Sequence, residues 1–406
     1  MPDTTLTILL AGGRGSRLEP LTADRAKPAV PFGGKYRVID FTLSNCMHSA
    51  LRRVLVLTQY KSHSLQKHLR DGWSVFNPEF NEYITIVPPQ MRTGDSWYAG
   101  TADAIFQNLF LIERNNVDTV LILAADHIYR MDYAALIASH KERSADLTIA
   151  CMQVPVQEAR AFGVMAIDDA MRIVEFNEKP ANPKPIPGDP NHALASMGIY
   201  VFKAQRLREA LLEDNARDDS SHDFGKDLIP RLIATHQVYA YRFGEIRGRV
   251  TPDRYWRDVG TIDAYYEANM DLLKPKPPLN LYQRDWAIRT YQSQNPPARM
   301  IPGDHGQDGV LTNSILCGGT VIAGATVKRS ILSSRVWVEE GAVVEDSILL
   351  DNVRVGAGSL LRRCIVDKGV KIPSGESLGL DPAKDLQRFT VSKNGVVVVP
   401  KGYRFV

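Results

Sequence analysis

Leu9-Leu10-Ala11-Gly12-Gly13-Arg14-Gly15-Ser16-Arg17 continues an apolar run that starts at Leu6. A buried strand that pours into a glycine-rich, arginine-bearing loop is the element that decides the fold of this chain. Three glycines remove the Cβ atoms that would keep backbone N–H groups away from an anion. Arg14 and Arg17 add fixed positive charge and planar donor forks. Such a loop is suited to holding a polyphosphate; taken alone, it is also compatible with a surface turn rich in glycine and arginine. It is neither of the two common phosphate motifs. No Gly-x-x-x-x-Gly-Lys-Ser/Thr run follows Gly12 or Gly13. A dinucleotide fingerprint counted from Gly13 requires glycine where Leu18 stands.

Outward from the loop, residues 1–271 alternate short apolar runs with amphipathic stretches. Val54 to Thr58, Thr119 to Ala124 and Leu147 to Cys151 read as buried strands. Ser62 to Leu69, Ala102 to Glu113 and Tyr133 to Arg143 read as helices between them. That rhythm predicts an α/β domain with a mostly parallel sheet covered by helices. Ligands of such sheets sit beyond the carboxyl ends of the strands. The loop at Gly12 and the segment Ala125-Asp126-His127 both fall at such ends.

Residues 272–310 are rich in proline, with Pro275, Pro277, Pro278, Pro296 and Pro297 among them, and read as a linker wrapping between domains. Residues 311–406 have a different period. Ser314-Ile315, Ser330-Ile331, Ser347-Ile348 and Cys364-Ile365 recur at intervals of 16, 17 and 17 residues. Hexad-like units lie between them, among them Val321-Ile-Ala-Gly-Ala-Thr and Val338-Glu-Glu-Gly-Ala-Val. Aliphatics spaced this way, with small residues between, predict stacked coils of a parallel β-helix. Asn394-Gly395 between two apolar runs predicts a closing hairpin.

The 406 residues suffice for two domains with their own cores. Apolar content of 44% and charged content of 23% are those of an ordinary globular protein. The net charge of +3 gives no argument for nucleic-acid or membrane binding. No apolar run approaches the roughly 18 residues of a membrane span, and the N-terminus lacks signal-peptide features. Cys46, Cys151, Cys317 and Cys364 are scattered, which argues against a disulfide framework or a zinc site and fits a reducing cytoplasm.

Gly12 to Leu18 with Lys27-Pro28 downstream resembles the signature of the nucleotide-sugar pyrophosphorylases. Arg25-Ala-Lys-Pro-Ala-Val, Ile39-Asp-Phe-Thr-Leu-Ser-Asn-Cys, Trp97-Tyr-Ala-Gly-Thr-Ala-Asp-Ala, Asp126-His-Ile-Tyr, Phe176-Asn-Glu-Lys-Pro, Ala195-Ser-Met-Gly-Ile-Tyr-Val-Phe and Tyr255-Trp-Arg-Asp-Val-Gly-Thr extend the likeness over nearly the whole chain. In this order they resemble the bacterial ADP-glucose pyrophosphorylases, the glucose-1-phosphate adenylyltransferases. The resemblance implies a Rossmann-like nucleotidyltransferase domain followed by a left-handed parallel β-helix. It implies that ATP and α-glucose 1-phosphate give ADP-glucose and pyrophosphate, in the first step of glycogen synthesis. Two polyanions must meet, so catalysis is mostly charge neutralisation and positioning.

Residue by residue, the resemblance assigns catalysis to Arg17, Lys27 and Asp126, and Mg2+ to Asp126 and Asp258. Magnesium prefers oxygen ligands and takes few carboxylates beside substrate phosphates. Read without the family, Asp126 is equally a helix cap after a strand. Lys179 is expected on the sugar phosphate, and Glu178, Ser196 and the backbone of Gly163 on sugar hydroxyls. Tyr98, Asp223, Phe224 and Trp256 complete the sugar side, with packing and capping as the alternative for the last three. Leu10, Ala11, Gly12, Gly13, Gly15 and Gln59 are expected to hold the nucleotide. Gln59 and Trp97 also match positions linked to communication between activator and active site. The family is typically homotetrameric and controlled by small anionic effectors; Arg25, Lys35, Arg37, Arg52 and Arg53 are basic candidates. The chain departs from the fructose-bisphosphate-activated pattern at Asp24 and Glu19, both of which replace basic residues. The tail has no histidine after His305, so it lacks the base of the related acyltransferases.

Overall fold

In a computed structural model, residues 5–89, 97–244 and 254–405 are described. The strand Thr5–Ala11 lies inside a nine-stranded sheet, between Arg53–Thr58 and Thr119–Ala124 and parallel to both. Its side chains are buried on both faces, which is why its sequence is apolar rather than alternating. Tyr83–Val87 continues the parallel half. Beyond Thr119–Ala124 the sheet changes character. The long strand His192–Lys203 runs antiparallel to that neighbour and to Leu147–Pro155 and Gly163–Ile167. The sheet is therefore parallel around the glycine loop and mixed on its other side, where Ile173–Glu178 pairs back onto Gly163–Ile167.

The expected elements recur with local changes. The strand at Thr119–Ala124 has its expected limits, and the first and third helices run over His63–Gly72 and Tyr133–Glu142. The stretch Ala102 to Glu113 forms two helices, Thr101–Phe106 and Leu109–Asn115, rather than one. Asn108 sits at the break, and its side-chain amide donates to the Ala104 carbonyl at 2.8 Å and to the Tyr98 hydroxyl at 3.0 Å. A helix interior that hydrogen-bonds its own side chains locally competes with its backbone ladder.

The proline-rich stretch is pinned to the N-terminal domain. Trp286 is buried and donates its indole N–H to Asn45 Oδ1 at 3.0 Å, and the Arg289 amide donates to Ser44 Oγ at 2.9 Å. Asn45 and Ser44 belong to the buried helix Val38–His48. Arg299–Ile301 already pairs with Val321–Ala323, so the solenoid begins inside the stretch read as linker.

The C-terminal domain is a hexapeptide-repeat solenoid of parallel strands in three stacked sheets, the arrangement of a left-handed β-helix. Ile315, Ile331, Ile348 and Ile365 stand in register on successive coils. The Ser-Ile repeat has a physical cause. Each serine hydroxyl accepts the backbone N–H of its counterpart one coil on: Ser314 from Ser330, Ser330 from Ser347, and Ser347 from Cys364, at 3.1, 3.1 and 3.2 Å. The hydroxyl also donates back to the carbonyl two residues earlier, as in Ser330 to Lys328 at 2.8 Å. The corner residue before each repeat is left-handed: Asn313, Arg329, Asp346 and Arg363 have φ of 44°, 44°, 47° and 51°. On one sheet the last rung, Val397–Val399, is joined by Thr390–Val391 in antiparallel sense, the hairpin expected at Asn394-Gly395.

One apolar cluster spans both domains: Phe32, Phe41 and Tyr265 pack in the same body as Ile331, Ile348, Ile365 and Val398. All four cysteines are free and buried.

Candidate active site

Ala11 ends the strand Thr5–Ala11, and Gly12 to Arg17 turn across its carboxyl end. Gly15 is left-handed at φ 65° and accepts the Thr22 hydroxyl at 2.8 Å through its carbonyl. Gly12 lies against Gln59, where a Cβ would stand 3.1 Å from the glutamine Cβ. The short turn Lys27–Ala29 then carries Lys27 under the loop.

Asp126 follows Thr119–Ala124, and Asp258 ends Trp256–Asp258, a strand paired with His127–Tyr129. That two-stranded ribbon, three residues on each side, brings together carboxylates 132 positions apart, which is something only the fold can do. Lys27 Nζ donates to Asp126 Oδ2 at 2.8 Å and to Asp258 Oδ1 at 2.7 Å. Burial resists ionisation of Asp126, but the ammonium of Lys27 outweighs it and holds the carboxyl well below the usual carboxylate range. Burial likewise works against the Lys27 ammonium, and the two carboxylates reverse that, so its pKa stands above the ordinary lysine value. Potential ligand atoms of Asp126, His127 and Asp258 all lie within 4.8 Å of one another. Burial lowers the pKa of His127 against the pull of Asp126 and Asp258, which favours the neutral ring that can ligate. A Cβ at Gly260 would stand 3.0 Å from both Asp258 oxygens and 3.3 Å from Arg17 Nη2, so the missing side chain lets the arginine approach.

The opposite wall carries the expected sugar-side residues. Lys179, at φ 48°, donates to Glu178 Oε1 at 2.7 Å. The Glu178 carboxylate fits between two glycines: a Cβ would lie 2.9 Å from its Oε2 at Gly163 and 2.5 Å from it at Gly225. Asp223 caps the turn Phe224–Leu228, accepting the amides of Gly225 and Lys226 at 2.9 and 3.1 Å, and its other oxygen accepts the Thr101 hydroxyl at 3.0 Å. Ser196 Oγ accepts the Gly198 amide at 3.3 Å. Phe224 is buried against Tyr200 and Phe202. Trp256 packs its ring on His127 at 4.6 Å and on Phe162 at 5.2 Å. Among the described residues, neither Trp256 Nε1 nor His127 Nδ1 has a hydrogen-bond partner, although both are buried.

Every residue expected at the site lines one cleft of about 830 Å³, with Trp97 and Tyr98 at one wall and the glycine loop at another. His127, Thr101, Gly198, Gly225 and Gly260 line it as well and had no assigned role. For His127 the available signal was its place beside Asp126 at a strand end; the glycines carried none. The basic effector candidates do not share one exposed face. Arg25 is buried on Asp367, and Arg37 is half-buried on the Ala29 carbonyl and Ser64, while Lys35 and Arg52 are exposed.

The cleft offers two carboxylates converging on one cation, an anion cradle beside them, and a carboxylate–lysine pair across from both. Residues 6–275 match the nucleotidyl transferase family, and residues 296–399 match the GlmU-like C-terminal hexapeptide family. The chain is 61% identical to glucose-1-phosphate adenylyltransferase 2 of Vibrio cholerae serotype O1, over 99% of this chain and 98% of that one. It is 62% identical to glucose-1-phosphate adenylyltransferase 2 of Vibrio vulnificus, over 98% and 99% of the two chains. It is 52% identical to the glucose-1-phosphate adenylyltransferase of Nitrosomonas europaea, over 97% and 92%.

Proposed function

The chain belongs to the nucleotidyl transferase family, among the glucose-1-phosphate adenylyltransferases, and from that premise we propose how its cleft carries the reaction. ATP and α-glucose 1-phosphate give ADP-glucose and pyrophosphate. A phosphate oxygen of the sugar phosphate bonds to the α-phosphorus as the bond to the bridging oxygen of pyrophosphate breaks in line. No protein nucleophile is required, so the residues act by charge and position.

The glycine loop receives the triphosphate on its backbone N–H groups, with Arg17 and Lys27 neutralising it. Leu10, Ala11 and Gln59 face the nucleoside, and the Gln59 amide offers a donor and an acceptor to a base edge. Lys179 holds the phosphate of glucose 1-phosphate as a mobile point charge. Glu178, Ser196 and Gly163 take the sugar hydroxyls, and Trp256 with Phe162 closes the apolar side.

Asp126 and Asp258 fit a divalent oxygen-seeking cation, because their carboxylates already converge on a single positive charge. Mg2+ held by them would supply positive charge to stabilise charge developing on the phosphates. The observation that carries the reading is the Lys27–Asp126–Asp258 cluster at the mouth of the glycine loop.

The wider setting follows the same reading: a cytoplasmic homotetramer, tuned by small anionic effectors, supplying ADP-glucose to glycogen synthesis. No helix among the described residues is long and apolar enough to cross a membrane. The test is pyrophosphate release from the purified protein with glucose 1-phosphate, Mg2+ and each of ATP, UTP, dTTP, GTP and CTP. Preference for ATP is expected. Preference for another nucleotide would keep the mechanism and overturn the product, and silence with all five would overturn both.

A further inference from the structure

Lys27 occupies the charge position of a metal. Its ammonium joins the two carboxylates proposed to hold the divalent cation, at 2.8 and 2.7 Å, and its side chain is only 9% exposed. One ammonium and two carboxylates, with Arg17 near Asp258, leave the cluster close to charge balance. A divalent ion added beside the ammonium would set like charges a few ångströms apart in a partly dry site. An ion taking its place would leave a buried lysine without a partner. Neither event is favourable until some other anion receives the ammonium.

The glycine loop provides the place for that anion. A Cβ at Gly15 would stand 3.2 Å from Lys27 Cβ, so the lysine stem runs directly against the loop. A lysine carries its charge on a flexible four-carbon stem. Rotation of its outer torsions frees Nζ from the carboxylates, and Gly12, Gly13 and Gly15 line the same cleft as the lysine.

We propose that Lys27 is the resident counter-ion of the Asp126–Asp258 pair until nucleotide binds, and that the nucleotide's phosphates draw the ammonium away as the divalent cation replaces it. The inference rests on the metal role proposed above for the two aspartates. Lys27 thus serves two partners in turn, and metal and nucleotide binding are positively coupled through it. Removing Lys27 strengthens metal binding by the protein alone even though it weakens the grip on triphosphate.

The experiment is a Mn2+ titration of the full chain without nucleotide, followed by electron spin resonance, on wild type, Lys27→Met and Lys27→Arg. Wild type and Lys27→Arg are expected to bind Mn2+ weakly at this site, and Lys27→Met at least tenfold more tightly. Adding Asp258→Asn to Lys27→Met should remove the gain. Mn2+ should raise the melting temperature of Lys27→Met and leave that of wild type unchanged. Equal Mn2+ affinity in wild type and Lys27→Met would overturn the exchange. Should Lys27→Met not fold, the wild-type arm still decides: tight Mn2+ binding without nucleotide that Asp258→Asn abolishes overturns it, and weak binding that becomes tight once the ATP analogue is added upholds it. The metal reading itself is read separately, with Mn2+ and a non-hydrolysable ATP analogue on wild type and Asp126→Asn. No difference there would overturn the metal role, whatever Lys27 does.

Discussion

Arg25 and Asp367 are separated by 342 positions and joined in the structure, with Arg25 Nη2 at 2.8 and 2.7 Å from the two carboxylate oxygens. Both side chains are buried, and Arg25 Nη1 has no hydrogen-bond partner among the described residues. The pair ties the solenoid to the catalytic domain two residues upstream of Lys27. Asp367→Ala leaves a buried guanidinium uncompensated and should cost about 3–5 kcal/mol, while Arg25→Met with Asp367→Leu should cost clearly less. Equilibrium denaturation of both variants checks this; equal losses would contradict it.

Asp24 is exposed, with its nearest cation Lys401 at 3.4 Å, and Arg25 beside it is committed to Asp367. The family resemblance puts basic residues at these positions in fructose-bisphosphate-activated enzymes, and the carboxylates of Asp24 and Glu19 would instead repel a bisphosphate bound there. Fructose 1,6-bisphosphate is therefore expected to be a poor activator. Strong activation at micromolar levels in the forward assay would refute the reading of both carboxylates.

The Gly163 and Gly225 backbones touch the Glu178 carboxylate where a Cβ would stand. Gly225→Ala should push Glu178 off its position and raise the KM for glucose 1-phosphate about tenfold or more, with the KM for ATP little changed. The overpacking itself should cost about 1–3 kcal/mol of stability. Steady-state kinetics against each substrate separates the two effects.

Asp126→Asn keeps the shape of the side chain and removes its charge. Turnover should fall about 10²-fold or more, as for other electrostatic groups aimed at a transition state. Lys179→Ala, at a half-exposed position, should mainly raise the requirement for glucose 1-phosphate. Equal effects of Lys179→Ala on both substrates would remove it from the sugar phosphate.

His140 is buried with its Nδ1 at 2.8 Å from the Thr148 hydroxyl, and burial, aided by Lys203, lowers its pKa to about 4 from 6.5. Between those values the unfolded chain binds the proton and the folded chain does not, so stability rises with pH there. It is full above about 6.5 and is lost as pH falls towards 4, with a total of roughly 3 kcal/mol. His140→Gln should flatten this slope in denaturation curves taken across that range.

What could be read without coordinates was whatever is encoded locally. The solenoid announced itself because each coil repeats one hydrogen-bonding device, the serine that accepts the next coil's amide. The glycine loop and the flanking parallel strands were legible for the same reason, since a doubly buried strand is apolar throughout. Strand direction in the other half was not. An apolar run such as Leu147–Pro155 looks the same whichever way its neighbour runs, and its pairing with His192–Lys203 is decided by distant segments. The identities of Lys27, Asp126 and Asp258 were legible through resemblance, but the ammonium resting on the carboxylates was not, because no local pattern reports a partner 99 or 231 positions away. The proline-rich stretch misled in one respect: its prolines signal irregular backbone, and only the burial of Trp286 reveals that this backbone is held fast.

A stack of parallel strands is an open template at its end, where unpaired amides and carbonyls invite another chain. Here the final rung Val397–Val399 is met by Thr390–Val391 running the other way, beside an aromatic group of Phe389, Tyr403 and Phe405. A strand arriving from another molecule finds reversed polarity and only two residues of edge. On this one of the three sheets the hairpin is a stopper against fibre growth, giving a stack of like rungs a defined last edge there.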